Sequence, residues 1–268
     1  GIYYTADDGA TWPELSSGLG IGQLYKIGVS QQTHAHVING YQDNGTALWS
    51  DTLFRTVRGG DGMECIIDYS DDAVMYASVY YGRIARSLNN GYNMGGFAGI
   101  NTNGITESGA WVTPYILDKD NPNIMFIGYK NIWKTTSAKS SSVNFSPISN
   151  SLAGSNSSNM RQMRQSKVDG NRMFAIRSDN KFFRTDNVHA TTPSWTDLTS
   201  LLPGSGTLRD VETDPFDKDI LWISRGNLIW KSVNGGTSWS NYTGNLPNLS
   251  YNTIIEDPLS NGGLYVGG

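Results

Sequence analysis

Short apolar runs separated by polar, glycine-containing turns recur along the whole chain, and no stretch shows sustained helical periodicity. Runs such as 124–127 and 220–223 are apolar at every position, which is typical of strands that pack between neighbouring sheets. This pattern predicts an all-β fold of short strands joined by tight turns.

The strands fall into a repeating unit. Each unit has an apolar strand that ends near an Asp, a second apolar strand, and a third strand that ends in Ser or Thr. The Ser and Thr positions are 5, 50, 87, 135, 185 and 232, at intervals of 45, 37, 48, 50 and 47 residues. These intervals match the period of a four-stranded propeller blade. The leading acidic residues are Asp68, Asp118, Asp169, Asp214 and Asp257.

The repeat predicts a single β-propeller over residues 1–268, with about six four-stranded blades. The predicted blades cover approximately 17–57, 58–100, 110–150, 158–200, 205–245, and 250–268 together with 1–16. We expect the two termini to share the last blade, because a ring of blades otherwise exposes a sheet edge. The alternative is a fragment of a seven-bladed or larger propeller.

Two of the turns after the third strand share a further motif. Residues 5–12 and 232–239 both read Ser/Thr-x-Asp/Asn-x-Gly-x-Ser/Thr-Trp. The motif resembles the Asp-box of BNR repeats, and with the wider repeat the chain resembles the sortilin (Vps10)/xyloglucanase-like superfamily of secreted bacterial propellers. The resemblance implies a peripheral, structural role for the motif residues, which are Asp7, Gly9, Trp12, Asn234, Gly236 and Trp239.

Composition and charge limit the classes of partner that the protein is expected to bind. Charged residues make up 16% of the chain, its net charge is -4, and it contains no long basic run, which argues against a nucleic-acid partner. No apolar stretch is long enough for a membrane span. The low charge and the abundance of Asn, Ser and Thr suit a secreted, extracellular or cell-surface protein. The chain begins and ends inside a repeat unit, so we expect flanking domains of a longer protein.

No cofactor and no metal site is predicted. His34 and His36 would share one strand face, but two ligands without a third do not make a convincing zinc site. The single cysteine, Cys65, excludes an intrachain disulfide.

Two glycine-flanked carboxylates, Asp43 and Asp61, are the candidate catalytic residues. Hydrolysis of a glycoside usually needs two carboxyl groups on either side of the bond, and these two are expected near the axial opening. The competing interpretation is that Asn44-Gly45 and Asp61-Gly62 are simply turn dipeptides. Side chains near this pair are candidate ligand-binding residues, and they are Arg58, Glu64, Tyr80, Tyr81 and Arg83.

Two functions therefore remain open. One is a propeller module of a larger secreted protein, which binds a glycan or a protein partner through its axial face. The other is a glycoside hydrolase that acts on a polysaccharide with Asp43 and Asp61. A sialidase is disfavoured because the Arg-Ile-Pro motif of that family is absent. The xyloglucanase resemblance also has a gap, since that family places its cleft between two propellers.

Overall fold

The structure, a computed structural model, describes residues 4–13, 22–149, 152, 158–259 and 262–268. Its strands form six antiparallel sheets, five of them four-stranded and one two-stranded. Within these ranges the only helical elements are two short 3-10 turns, Tyr80–Gly82 and Thr199–Leu201. The predicted all-β, six-bladed architecture is confirmed.

Each blade is a meander in chain order. Blade 1 contains β1 (Leu24–Val29), β2 (His36–Tyr41), β3 (Gly45–Ser50) and β4 (Leu53–Arg58). Blade 2 contains β5 (Cys65–Ile67), β6 (Met75–Val79), β7 (Arg83–Ser87) and β8 (Gly95–Ala98). Blade 3 contains β9 (Tyr115–Leu117), β10 (Met125–Gly128), β11 (Ile132–Thr135) and β12 (Ser146–Pro147).

The second half of the chain continues the same order. Blade 4 contains β13 (Met160–Gln165), β14 (Met173–Arg177), β15 (Phe182–Thr185) and β16 (Thr196–Asp197). Blade 5 contains β17 (Leu208–Thr213), β18 (Leu221–Arg225), β19 (Leu228–Ser232) and β20 (Ser240–Asn241). Blade 6 contains β21 (Thr253–Glu256) and β22 (Leu264–Gly267). The repeating Ser or Thr is the last residue of the third strand in blades 1 to 5.

The first strand of each blade is the inner one, since β1 contacts β5, β9 contacts β13, β13 contacts β17, and β17 contacts β21. In a four-stranded meander, the connection between the second and third strands and the connection to the next blade lie at the same end. We call this end the loop face. The turns between the first and second strands and between the third and fourth strands lie at the opposite end, the turn face.

Five hydrophobic clusters hold the blades together, one for each junction from blade 1 to blade 6. Ile38 and Leu48 of blade 1, for example, pack on Cys65, Met75 and Ala77 of blade 2. At the other end of the series, Trp222 and Ile229 of blade 5 pack on Tyr251 and Ile254 of blade 6. Burial of these apolar faces is the main favourable term in the fold.

The last blade is two-stranded within the described residues, because β22 pairs only with β21. The N-terminal segment expected to complete it includes residues 1–3 and 14–16, which lie outside the described residues. Residues 4–13 form a closed turn, in which the Tyr4 amide donates to the Pro13 carbonyl at 3.1 Å. Completion of blade 6 by the N terminus stays a prediction.

The repeat residue at the end of the inner strand differs from the sequence prediction in one blade. Asp68, Asp118 and Asp214 each accept backbone amides two residues, or two and three residues, further along the chain. In blade 4 the Ser166 hydroxyl accepts the amides of Val168 and Asp169 instead. The assignment of Asp169 was therefore wrong by three residues, and Ser30 holds this position in blade 1.

Candidate functional site

The loop face of blades 1 and 2 brings together most of the candidate residues. The Asp43 amide donates to the Asp61 Oδ1 at 2.7 Å, which joins the β2–β3 loop to the connection between blades 1 and 2. A Cβ atom at Gly60 would lie 3.3 Å from the Val79 side chain, so the same connection also approaches the loop that carries Tyr80. The two carboxylate residues proposed from the sequence are thus neighbours on one surface. Their catalytic role stays a prediction.

Beside this loop lies a group of aromatic side chains that we call the aromatic platform: Tyr25, Tyr80, Tyr81 and Trp111. Tyr80 and Trp111 stack with their centroids 5.4 Å apart and their planes 12° apart. Tyr81 meets both rings edge-on, at 5.6 Å from each. The Trp111 Nε1 donates to the Tyr25 hydroxyl at 3.2 Å, which extends the platform to the inner strand of blade 1.

The platform is accessible and firmly held. Trp111 is 43% exposed and Tyr81 is 45% exposed. The Gly109 amide donates to the Tyr81 carbonyl at 3.2 Å, so the blade 2–3 connection is bonded to the loop beneath it. The buried Tyr129 hydroxyl donates to the Gly82 carbonyl at 2.7 Å. Rigid, exposed aromatic rings offer contact area at little cost in conformational entropy.

Two arginines at this end of blades 1 and 2 differ in their surroundings, and Arg83 borders the platform. Arg83 is exposed, and its guanidinium carbon lies 5.8 Å from the Tyr80 ring centroid. Arg58 is half-buried, and its Nε has no hydrogen-bond partner among the described residues. Burial lowers the pKa of the Arg58 guanidinium, although the nearby Tyr115 hydroxyl opposes the shift.

The inner strands place a layer of side chains around the axis, and five of its six positions are polar. Counting back four residues from each inner-strand turn residue gives Lys26, Glu64, Pro114, Gln162, Asp210 and Thr253. Several members of this layer bond to a neighbour. Lys26 Nζ lies 3.6 Å from the Glu64 carboxylate, Gln162 donates to Asp210 at 2.8 Å, and the Thr253 hydroxyl donates to Asp210 at 3.1 Å.

A second set of charges continues this layer towards the turn face. The Arg164 guanidinium lies 3.6 Å from both Asp210 and Glu212. Lys167 Nζ lies 3.1 Å from Glu212 and 3.3 Å from Glu256. The axis of the propeller is therefore lined with paired charges, and the inner strands are tied together by ion pairs as well as by the hydrophobic clusters.

The axial environment changes the proton affinity of two groups. Burial raises the pKa of the Glu64 carboxyl, although Lys26 and Arg164 oppose the shift. Burial alone would lower the pKa of the Arg164 guanidinium, but the carboxylates of Glu212, Asp210 and Glu64 outweigh it, and the pKa is raised. A buried carboxyl that favours its neutral form is a property that general acids share.

The sequence analysis missed Trp111 and Tyr25. Trp111 lies in a connection without strand pattern, and Tyr25 reads as an ordinary strand aromatic. The contact between the β6–β7 loop and the blade 2–3 connection brings Trp111 to Tyr80 and Tyr81, and the hydrogen bond from Trp111 joins Tyr25 of β1 to them.

Of the two turns compared with Asp-boxes, the one at 232–239 lies at the turn face, away from the platform, because it joins the third and fourth strands of blade 5. Asp7 Oδ1 accepts the Thr5 hydroxyl at 2.8 Å and the Thr11 amide at 2.9 Å, while Trp12 donates to the Gly9 carbonyl at 3.1 Å. Asn234 accepts the Ser232 hydroxyl at 3.0 Å and the Ser238 amide at 2.9 Å. Gly9 and Gly236 both have φ near 91°, a conformation that glycine adopts without strain. Trp239 packs against the blade 4–5 cluster.

No metal-binding group of three or more His, Cys, Asp or Glu side chains occurs in the part of the chain that the structure describes. None of the described helical segments has the length and apolar character needed to cross a membrane.

Comparison with known proteins gives structural likeness only. No protein-family model matches the chain, and no curated protein matches it. Among solved structures, an ancestral GH74 enzyme is similar with a TM-score of 0.67 at 12% identity, over 89% of this chain and 33% of that one. A GH74 enzyme of Niastella koreensis is similar with a TM-score of 0.62 at 15% identity, over 81% of this chain and 38% of that one.

A third similar structure, YCF48 bound to D1 peptide, has a TM-score of 0.55 at 12% identity, over 95% of this chain and 80% of that one. The chain spans only about a third of the length of the two GH74 enzymes. Identities this low carry information about the fold and not about the ligand. Together with the sheet topology, these likenesses identify the chain as a β-propeller.

Proposed function

We propose that this chain is a glycan-binding propeller module of a larger secreted or cell-surface protein, and that the glycan binds at the loop face on the aromatic platform. The observation that carries the proposal is the rigid, exposed group of Tyr81 and Trp111 beside polar side chains of Asp61 and Arg83. Sugar rings present an apolar face to an aromatic ring and hydroxyl groups to its polar neighbours.

The Asp-box motif belongs to the same proposal. We assign the turns at 5–12 and 232–239 to Asp-boxes of the BNR type on the basis of their shared hydrogen bonds. The place of the 232–239 turn at the turn face supports a structural role for that motif, and it leaves the loop face free for the ligand.

The test is affinity electrophoresis of the protein in gels that contain xyloglucan, mixed-linkage β-glucan or polygalacturonate, followed by calorimetry with the polysaccharide that retards it. Trp111→Ala should weaken binding about tenfold, the equivalent of about 1.4 kcal/mol. The matched control is Tyr92→Ala, because Tyr92 is an exposed aromatic residue on the turn face. Equal binding by Trp111→Ala and wild type would contradict the proposal, as would retardation by none of the three polysaccharides.

A glycoside hydrolase is the second candidate, and one observation favours it. Asp43 and Asp61 lie in one loop cluster next to the platform, and Glu64, whose carboxyl pKa is raised by burial, follows Asp61 by three residues. The assay is release of reducing ends from the bound polysaccharide. Activity that Asp61→Asn abolishes without loss of binding would make the module an enzyme, whereas binding without any release of reducing ends would leave it a binding module.

A further inference from the structure

Charge is distributed unevenly between the two ends of the propeller. The basic residues at the loop face are Arg58, Arg83, Lys130, Arg161, Arg177, Lys181, Arg209 and Arg225. The carboxylates outside the axial layer at this end are Asp43, Asp61, Glu107, Asp179 and Asp197. The turn face carries most of the remaining Asp residues, because the residue that ends the inner strand is an Asp in four blades. A chain with a net charge of -4 therefore presents one basic end.

The basic groups at the two ends also differ in their partners. At the turn face, Arg172 pairs with Asp186 and Asp219, Arg184 pairs with Asp186, and Lys139 pairs with Asp68. At the loop face, Arg177 pairs with Asp179 at 2.8 Å. Within the described residues, no carboxylate oxygen lies within 4.0 Å of the other basic groups at the loop face.

Three of these unpaired arginines are partly withdrawn from water. Arg161 donates to the carbonyls of Leu208 at 2.6 Å and Ser178 at 3.0 Å, and Arg225 donates to the Pro203 carbonyl at 2.9 Å. Arg58 has no such bond among the described residues. Burial lowers the pKa of all three guanidinium groups, and the neighbouring Arg209 lowers that of Arg161 further, although Asp179 opposes this shift. A partly buried cation without a close ion pair is unfavourable, and an anionic ligand would reduce that cost.

The connection that follows Arg58 leaves space for such a ligand. A Cβ atom at Gly59 would meet no atom within 4 Å, and Gly60 is exposed with a φ of 87°. This glycine pair lies between Arg58 and the loop that carries Tyr80 and Tyr81. A ligand on the aromatic platform is close to the Arg83 guanidinium, and a guanidinium matches the planar, two-oxygen geometry of a carboxylate.

We propose that the ligand of the loop face is an acidic glycan, whose uronic acid carboxylates bind the unpaired arginines while its rings lie on the aromatic platform. This inference rests on the proposed glycan-binding function and adds the chemical class of the glycan. The basic end would also attract a polyanion over a distance and orient it towards the loop face.

The test compares polygalacturonate with its fully methyl-esterified form, which has the same backbone without the charges. In 50 mM NaCl the acidic form should bind at least tenfold more tightly. That advantage should largely disappear at about 0.5 M NaCl, where the Debye length is well below 10 Å. Equal affinity for the two forms would overturn the inference, and it would leave the glycan-binding function standing if Trp111→Ala weakens both.

Variants that remove single basic residues show which of them bind the acidic polysaccharide. Arg83→Gln and Arg209→Gln change exposed residues, so they should keep the fold and weaken binding of the acidic form several-fold, with little change for the ester. The matched control is Lys218→Gln, an exposed basic residue at the turn face, which should change neither affinity. Because Arg58 is half-buried, Arg58→Lys is used there, with a thermal unfolding curve to confirm folding. Loss of affinity that is the same for the acid and the ester would overturn the inference.

Two further outcomes separate the inference from the proposed function. If neither form of the polysaccharide binds, and none of the three test polysaccharides does, both proposals fail. If poly-glutamate binds with the same salt dependence while the glycans do not, the basic end recognises an acidic protein, and the acidic-glycan inference is overturned.

Discussion

Tyr81 has a left-handed backbone conformation, with φ at 62° and ψ at 27°. A bulky residue in this region carries strain of about 1–3 kcal/mol, and such strain persists only where the surrounding structure enforces it. Here the carbonyl of Trp111 accepts the Tyr81 amide at 3.4 Å, and Gly82 follows with φ at 71°. The strained position is the one that holds the exposed ring of the platform in place.

Tyr81→Gly and Gly82→Ala should differ strongly in their effect on the free energy of unfolding. Tyr81→Gly relieves the left-handed strain, so we expect a change in unfolding free energy within about 1 kcal/mol, together with weaker glycan binding. Gly82→Ala combines positive φ with a Cβ that clashes with the buried Tyr129 ring, so it should destabilise the protein by at least about 2 kcal/mol. Urea unfolding measures both. A Gly82→Ala variant as stable as wild type would show that this loop is not constrained.

Glu64 gives the stability a pH dependence of defined sign. Because its folded pKa is raised above the ordinary value of 4.5, the protonated form is favoured by folding. This contribution to stability is fully present below pH 4.5 and is lost as the pH rises through the folded pKa. Relative to wild type, Glu64→Gln should therefore become more stable between pH 4 and pH 8. Urea unfolding at several pH values checks this, with Asp51→Asn in an exposed turn as control. A constant difference across that range would contradict it.

At the scale of the element, the turn after the inner strand has the same hydrogen-bonding pattern in successive blades. A short polar side chain, Asp or Ser, accepts backbone amides of the turn and satisfies donors that a tight reversal leaves unpaired. Asp and Ser both have an acceptor oxygen at the required distance, which explains why Ser166 and Ser30 replace Asp in two blades.

Substitution of Asp214 tests the contribution of these hydrogen bonds to stability, because Asp214 is buried and water cannot replace its side chain. Its Oδ1 accepts the amides of Phe216 at 2.8 Å and Asp217 at 2.9 Å. Asp214→Ala should leave two donors unpaired and destabilise the protein by about 2–4 kcal/mol. Asp214→Asn keeps an acceptor oxygen and should cost less than half as much. Urea unfolding of the pair distinguishes hydrogen bonding from charge: if the two variants lose equal stability, the negative charge and not the acceptor is what matters.

At the scale of the whole molecule, the two outermost sheet faces differ from the rest. Ile27 on β1 is 59% exposed, and the paired residues Ile255 and Tyr265 of blade 6 are 55% and 65% exposed. The other sheet faces pack against a neighbouring blade, and the five hydrophobic clusters lie at those junctions. Blade 1 therefore has one buried face and one exposed apolar face.

Two alanine substitutions in blade 1 measure whether its exposed apolar face is covered in solution. Ile38 is fully buried against blade 2, and Ile38→Ala should cost about 2–5 kcal/mol. Ile27→Ala should cost no more than about 1 kcal/mol, because the side chain is exposed. Chemical unfolding of both variants gives the comparison. Equal losses would mean that another sheet packs on β1 in solution.

Local chemistry alone determined a large part of this molecule. The 45-residue repeat, the strand endings at Ser87, Thr135 and Ser232, and the turns with Asp or Asn acceptors depend on residues close in sequence, so they were readable without a structure. The sequence did not show that Ser166 is the turn residue of blade 4, because Asp169 lies in the same turn. Only the register of β13 with β14 shows that the inner strand ends before Ser166.

The candidate site depends on contacts between segments far apart in the chain. Trp111 meets Tyr25 across 86 residues, and Asp43 meets Asp61 across 18. The axial charges come from different inner strands, and the basic character of the loop face arises because arginines that are scattered in sequence lie at the same end of successive blades. Sequence periodicity determined the blades, whereas the packing of successive blades around an axis decided which side chains meet, because proximity between blades is set by packing and not by distance along the chain.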